Sequence, residues 1–155
     1  MMKKLRVYVD TSVIGGKFDN VHALATQAFW DAVEKGDIVV LASDVLDEEV
    51  ERSPQHIRDF FDELPVSQVE RIVSTDESDT LANRYIAANV VNKESLNDCK
   101  HVALATIYSD GIVSWNLRDM VKRQKKYNNV NRAQGYPEIK ILTPDKFLEV
   151  CYDET

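Results

Sequence analysis

The stretch "LRVYVDTSVIGG", residues 5–16, decides how the chain is read. Up to Val9 it has the composition of a short buried strand, rich in β-branched residues; it then presents Asp10, Thr11 and Ser12. An ionised carboxylate at the end of a buried strand is costly unless something pairs with it or coordinates it. Asp10 is therefore a turn or cap residue, or one ligand of a cation.

Outward from this stretch the pattern repeats. "DIVVLAS" (37–43), "VERIVS" (69–74), "IVSW" (112–115) and "EIKIL" (138–142) read as further strands. Between them lie helical segments. "VHALATQAFWDAVEK" (21–35) places Ala25, Ala28, Phe29, Ala32 and Val33 on one face, and Gly36 closes it. Ser43-Asp44 cap a helix through "VLDEEVER", and Pro54 starts another that carries Ile57, Phe60, Phe61 and Leu64. Helices are expected over 76–91, over 97–111 with Asn97 or Asp98 at the start and Gly111 at the end, over 116–127, and over 143–151. Strands alternating with helices predict an α/β fold with a central, mainly parallel sheet covered on both faces. The crevice of such a sheet lies beyond the carboxyl ends of its strands. Asp10, Ser43 and Trp115-Asn116 would all face that edge.

The 155 residues suit a single domain, 1–155, with a core of its own. A composition 44% hydrophobic and 29% charged is that of a soluble globular protein. No stretch approaches the roughly 18 to 20 apolar residues of a membrane span, and Asp10 interrupts the only N-terminal run that could resemble a signal peptide. Cys99 and Cys151 form neither a disulfide framework nor a metal-type spacing, so a reducing cytoplasm is the expected location. A formal charge of −7 argues against a protein that coats nucleic acid through its overall field. It leaves room for a nuclease whose carboxylates hold metal. The charge is uneven: Arg118, Lys122, Arg123, Lys125, Lys126 and Arg132 are opposed only by Asp119, whereas "LDEEVE" (46–51) is strongly acidic.

The acids that could converge on the strand edge are Asp10, Glu48 or Glu49 on the helix after the second strand, Asp98, and Asp119 beside Asn116. Such a cluster cannot stay fully ionised without a counter-charge. Mg²⁺ or Mn²⁺ suits oxygen donors of this kind, and one or two such ions support in-line phosphodiester displacement. Each acid taken singly also has an ordinary reading: a turn for Asp10, a helix start for Asp98, a solvated helix face for Glu48 or Glu49.

The order "YVDTSVIGG", "SDVLDEEVERSP", "NDCKHVALAT", "IVSWNLRDMV" resembles the PIN domain, and within it the VapC-like proteins of toxin–antitoxin pairs. The resemblance runs nearly the whole chain, including "VNRAQGYPEIKILTPDKF". It implies a three-layer α/β/α fold and a Mg²⁺- or Mn²⁺-dependent endoribonuclease with one or two ions. It implies Asp10 as first metal-binding acid, Thr11 and Ser12 supporting it, Glu49 as second acid with Glu48 as the alternative, and Asp98 as third. In the fourth acidic position this chain has Asn116, with Asp119 three residues on. Asn116 removes one charge and leaves the number of metals open. An RNA substrate, a homodimer and a small antitoxin that blocks the cleft are also implied.

Arg118, Lys122, Arg123, Lys125 and Lys126 are the candidates for RNA phosphates. Tyr127 and Tyr136 have the ring chemistry to stack on bases. His101 follows Asp98 by three residues, so it packs near the acids or orients one. Trp115 belongs to the cleft floor or the core. Ser12 lacks the His–Asp company of a serine nucleophile. Two other readings compete: a PIN-like module that binds RNA or protein through a weakened site, motivated by Asn116, and a phosphatase of the haloacid dehalogenase class. The latter usually has a second Asp two residues after the first, where this chain has Ser12. A dimer interface could draw on the apolar face of the 54–64 or the 76–91 helix.

Overall fold

The structure is a computed structural model, and it describes residues 4–152. The ends of the expected 1–155 domain lie outside the described residues. Five strands, β1 (Leu5–Val9), β2 (Ile38–Ser43), β3 (Val69–Ile72), β4 (Gly111–Val113) and β5 (Ile141–Leu142), form one sheet in the order β3-β2-β1-β4-β5. Every pairing is parallel. The chain first builds outward from β1 through β2 to β3, then returns to the other side of β1 for β4 and β5. The order reverses between β1 and β4, and at such a point the departing loops part and leave a crevice.

Strand residues alternate between two cores, as the pleat requires. Tyr8, Leu41 and Ile112 face one side, covered by α5 (Asp76–Ala87), α6 (Leu96–Tyr108) and α7 (Gln124–Ala133) through Leu81, Tyr85, Val102 and Tyr127. Val7, Val9, Val40, Ala42 and Val113 face the other. That side is covered by α1 (Thr11–Gly15), α2 (Ala23–Glu34), α3 (Asp44–Glu51), α4 (Gln55–Asp62) and α8 (Pro144–Phe147), through Ile14, Phe29, Trp30, Leu46 and Phe147. Three layers result. Among the described residues no helix is long and apolar enough to cross a membrane.

Several boundaries differ from the sequence reading. α1 is a single helical turn that runs into the Gly15-Gly16 pair, where the pattern predicts only a break. On α2, Thr26 and Trp30 are buried whereas Ala28 is exposed: the two larger side chains fill the space over the sheet. α5 stops at Ala87, and Asn89 takes a left-handed conformation (φ 58°) that turns the chain back. α6 begins before Asn97 and Asp98, with Ser95 at its N-cap, and Gly111 opens β4 instead of closing the helix. The helix expected over 116–127 is absent. A turn and a 3₁₀ segment at Val121–Arg123 precede α7, which continues to Ala133. Leu81, Ala82 and Tyr85 of α5 are buried in the first core, whereas Ile57, Phe60 and Phe61 of α4 are half-buried against the second.

Candidate active site

Asp10 leaves β1 at the point where the strand order reverses, and the register Val9↔Val113 sets it beside Ser114. It is only 5% exposed. Asp10 occupies the N-cap position of α1 with extended backbone, yet its side chain makes no capping bond. Instead it accepts hydrogen bonds from the hydroxyls of Ser12 (2.5 Å) and Ser114 (2.6 Å). Ser12 also accepts from the backbone N–H of Trp115 at 2.8 Å, which ties the loops after β1 and β4 together. Burial pushes the Asp10 carboxyl above its ordinary value, and the nearby Glu49 charge adds to this; His101 and the two hydroxyls pull the other way. The cap reading of Asp10 thus fails on geometry: this is a buried acid oriented by hydroxyls.

Glu49 reaches the same edge from the last turns of α3, whose first turn is capped by Ser43 accepting from Leu46 N–H at 3.1 Å. One carboxylate oxygen of Glu49 meets the Thr11 hydroxyl and His101 Nε2 (2.8 Å), and the other lies 3.4 Å from Asn97 Nδ2. Burial, the largest influence, raises the Glu49 carboxyl; the hydrogen bond and charge of His101, with the Thr11 and Asn97 donors, outweigh it, and the net direction is down. Glu48, one residue earlier, is exposed. Of the two alternatives, α3 therefore turns Glu49 toward Asp10.

Asp98 stands in the first turn of α6, part-buried. Its carboxyl is pushed up to about 6 by burial, with the charges of Asp10, Asp119 and Glu49 adding and that of His101 opposing. Asp119 is brought close by the turn after β4: its N–H donates to Asn116 Oδ1 (3.1 Å), and its carboxylate meets the Ser95 hydroxyl (3.3 Å) and the Arg118 guanidinium (3.2 Å). Asn116 and Asp119 are thus linked within a turn, not along a helix face. Asp10, Glu49, Asp98 and Asp119 come from four segments to one strand edge. Among the described residues no lysine or arginine pairs with the first three.

This donor set fits a hard divalent cation: carboxylates, hydroxyls and a side-chain amide. Cys99, beside Asp98, is no competitor, because burial pushes its thiol up to about 12. Among the described residues, no three His, Cys, Asp or Glu side chains already close on one point as a ligand cage.

The basic stretch divides. Arg118, Lys122, Arg123 and Lys126 line an open hollow of about 400 Å³ with Leu117, next to the Asp119 end of the cleft. Lys125 is exposed on α7 outside that lining, and Arg132 pairs with Glu138 at 2.8 Å. Tyr127 is fully buried, its hydroxyl donating to the Asp119 carbonyl, so it offers no face to a base; Tyr136 bonds Glu77. Trp115 is half-buried, stacked 3.9 Å from His22, and donates to Thr26 Oγ1. Sequence reading missed Ser114 and Tyr8. Their signals were available: a hydroxyl directly after a strand adjacent to β1, and a tyrosine inside a buried strand, where the O–H needs a partner.

No family profile matches the chain, and no curated protein matches it in sequence. Its structure is similar to that of the Mycobacterium tuberculosis toxin VapC20, described as cleaving the sarcin–ricin loop. The TM-score is 0.55 at 13% identity, with 86% of this chain and 98% of that chain covered. At that identity the likeness concerns the fold, and the individual site residues stand on the geometry above. The chain has the PIN-like three-layer α/β/α fold of its VapC20 neighbour, built on a five-stranded parallel sheet.

Proposed function

We propose that this protein is a Mg²⁺- or Mn²⁺-dependent endoribonuclease that hydrolyses RNA phosphodiester bonds, and that it is the toxin of a toxin–antitoxin pair. One observation carries the reading: Asp10, Glu49, Asp98 and Asp119 converge at the strand-order reversal, with Asp98 raised to about 6 by burial and by its fellow acids. A site that penalises its own negative charge in this way is built for a cation. The fold of VapC20, a toxin that cleaves an RNA loop, supports the same activity class.

Asp10, Glu49 and Asp98 would hold the cation, with Asp119 and the Asn116 amide at the margin. Thr11 and Ser12 hold the acids in place, through Glu49 and Asp10 respectively. When bound, the cation supplies positive charge to the phosphoryl oxygens and lowers the pKa of water. One carboxylate of the set Asp10, Glu49 and Asp98 would take the proton of the attacking water. Arg118, Lys122, Arg123 and Lys126 offer a phosphate-binding shelf beside the cleft, with Lys125 contributing at longer range.

A cytoplasmic location, a homodimer and a small antitoxin segment that covers the cleft complete the proposal. Asn116 favours a second reading, a binding module with a weakened site: it adds no charge, and its Oδ1 already accepts the Asp119 N–H. The test is incubation of the folded, partner-free protein with a mixed RNA pool and Mg²⁺ or Mn²⁺, with EDTA and Asp10→Asn as controls. The nuclease predicts cutting that needs the metal and is lost in Asp10→Asn. RNA retention without cutting under either metal would favour the module.

A further inference from the structure

Glu48 and Glu49 are chemically identical neighbours, and a one-residue change of register in α3 would exchange them. The geometry points to Tyr8 and His101 as positioning residues that fix the register of the three acids Asp10, Glu49 and Asp98 against one another. This inference rests on the cation reading given above.

Tyr8 and His101 are 0% and 1% exposed. The Tyr8 hydroxyl lies 2.6 Å from Ser43 Oγ and 2.6 Å from His101 Nδ1, and His101 Nε2 lies 2.8 Å from Glu49. A carboxylate only accepts, so Nε2 donates to Glu49 in either protonation state of the ring. With a neutral imidazole Tyr8 donates to Nδ1 and the Ser43 hydroxyl donates to the Tyr8 oxygen; with an imidazolium Nδ1 donates to the Tyr8 oxygen and Tyr8 donates to Ser43. In both, Ser43 accepts from Leu46 N–H at 3.1 Å and the chain of bonds is unbroken.

The hydrogen-bond chain begins and ends on the same helix. It leaves α3 at Leu46, crosses β1 through Tyr8 and α6 through His101, and returns to α3 at the Glu49 side chain. Besides Ser43 at the end of β2, the two elements it crosses each carry another acid: Asp10 follows Tyr8 by two residues on the exit from β1, and Asp98 precedes His101 by one turn of α6. A shift of α3, β1 or α6 along its axis breaks a bond in this loop before it moves an acid out of place. Orientation of this kind, by groups hydrogen-bonded to a metal's ligands, typically governs metal affinity by 10–100-fold.

The experiment is calorimetric titration of the full chain with Mn²⁺, on the wild type, Tyr8→Phe, Glu49→Gln, Tyr8→Phe combined with Glu49→Gln, His101→Gln and His101→Ala. Circular dichroism in EDTA verifies that each is folded. Tyr8→Phe keeps the ring and removes only the hydroxyl; it should weaken Mn²⁺ about tenfold or more. His101→Gln, which keeps an N–H toward Glu49, should retain more affinity than His101→Ala. Once Glu49 is Gln, Tyr8→Phe should cause no further loss. Wild-type affinity in Tyr8→Phe, an equal loss in the Glu49→Gln background, or equal losses in the two His101 variants would overturn the positioning role. A wild type that binds no Mn²⁺ would instead remove the cation reading, and this inference with it.

Discussion

Asp98→Asn should stabilise the metal-free protein and abolish its stabilisation by metal. The carboxyl stands at about 6 against an ordinary value of 3.8. At 1.36 kcal/mol per pH unit, that rise is a bias of roughly 3 kcal/mol against the charged form. Asp98 is only part-buried, and solvent screening brings the usable figure to about 1–2 kcal/mol. Asn also forfeits the favourable charge at the N-terminus of α6, worth about 0.3–1 kcal/mol. The net gain is about 1 kcal/mol, or roughly 2–4 °C in Tm for a chain of this size.

The sign follows from linkage. An acid whose folded value lies above its unfolded one holds its proton more tightly when folded. The wild type is thus unpenalised below about pH 4 and loses stability as pH rises from about 4 to about 6. Urea denaturation followed by tryptophan fluorescence in EDTA should show Asp98→Asn ahead at pH 7.5 and level near pH 4. Mn²⁺ at a hundredfold over its Kd should add about 2.7 kcal/mol to the wild type and little to the variant, reversing the order. A variant less stable than the wild type in EDTA at pH 7.5, or equally stabilised by Mn²⁺, would refute the reasoning.

Three other perturbations separate the parts of the site. Asn116→Asp preserves the acceptor for the Asp119 N–H and adds a charge at the cleft, so Mn²⁺ should bind more tightly by calorimetry while the metal-free protein melts lower. Gly16→Ala places a Cβ 2.8 Å from Thr26 Oγ1 and 2.9 Å from the Trp115 ring, within the bond that anchors Trp115. It should cost about 1–3 kcal/mol in urea denaturation. Lys122→Glu with Lys126→Glu should weaken RNA binding, measured by fluorescence anisotropy. The slope of log affinity against log salt should fall by about 1 for each phosphate that is no longer neutralised.

What the sequence made legible follows from the range of each signal. Strands and their edge were readable because β-branched runs such as "IVVLA" state both burial and period locally. The acids could be placed on that edge because parallel strands all end on one side. Ser12 lies two residues from Asp10 and could be read beside it, but the contacts of Ser114 with Asp10, and of Thr11 and His101 with Glu49, depend on which elements are neighbours, and no local pattern encodes the order β3-β2-β1-β4-β5. The helix expected over 116–127 is interrupted at Met120, whose backbone leaves the helical region (φ −124°, ψ −70°) and whose side chain, like that of Tyr127, is drawn into the core. That Glu49 lies against Thr11 and His101 while Glu48 is exposed depends on the rotation of α3 about its axis, which only tertiary packing fixes.

The central claim is that the carboxylate ending the first strand belongs to a cation site at the edge shared with β4. An anomalous difference map from a crystal of the protein grown with Mn²⁺ tests it most directly. The account predicts a peak bounded by Asp10, Glu49 and Asp98, lost in Asp10→Asn. Ordered carboxylates with no peak between them, or a peak only at surface acids such as Glu48, would contradict it.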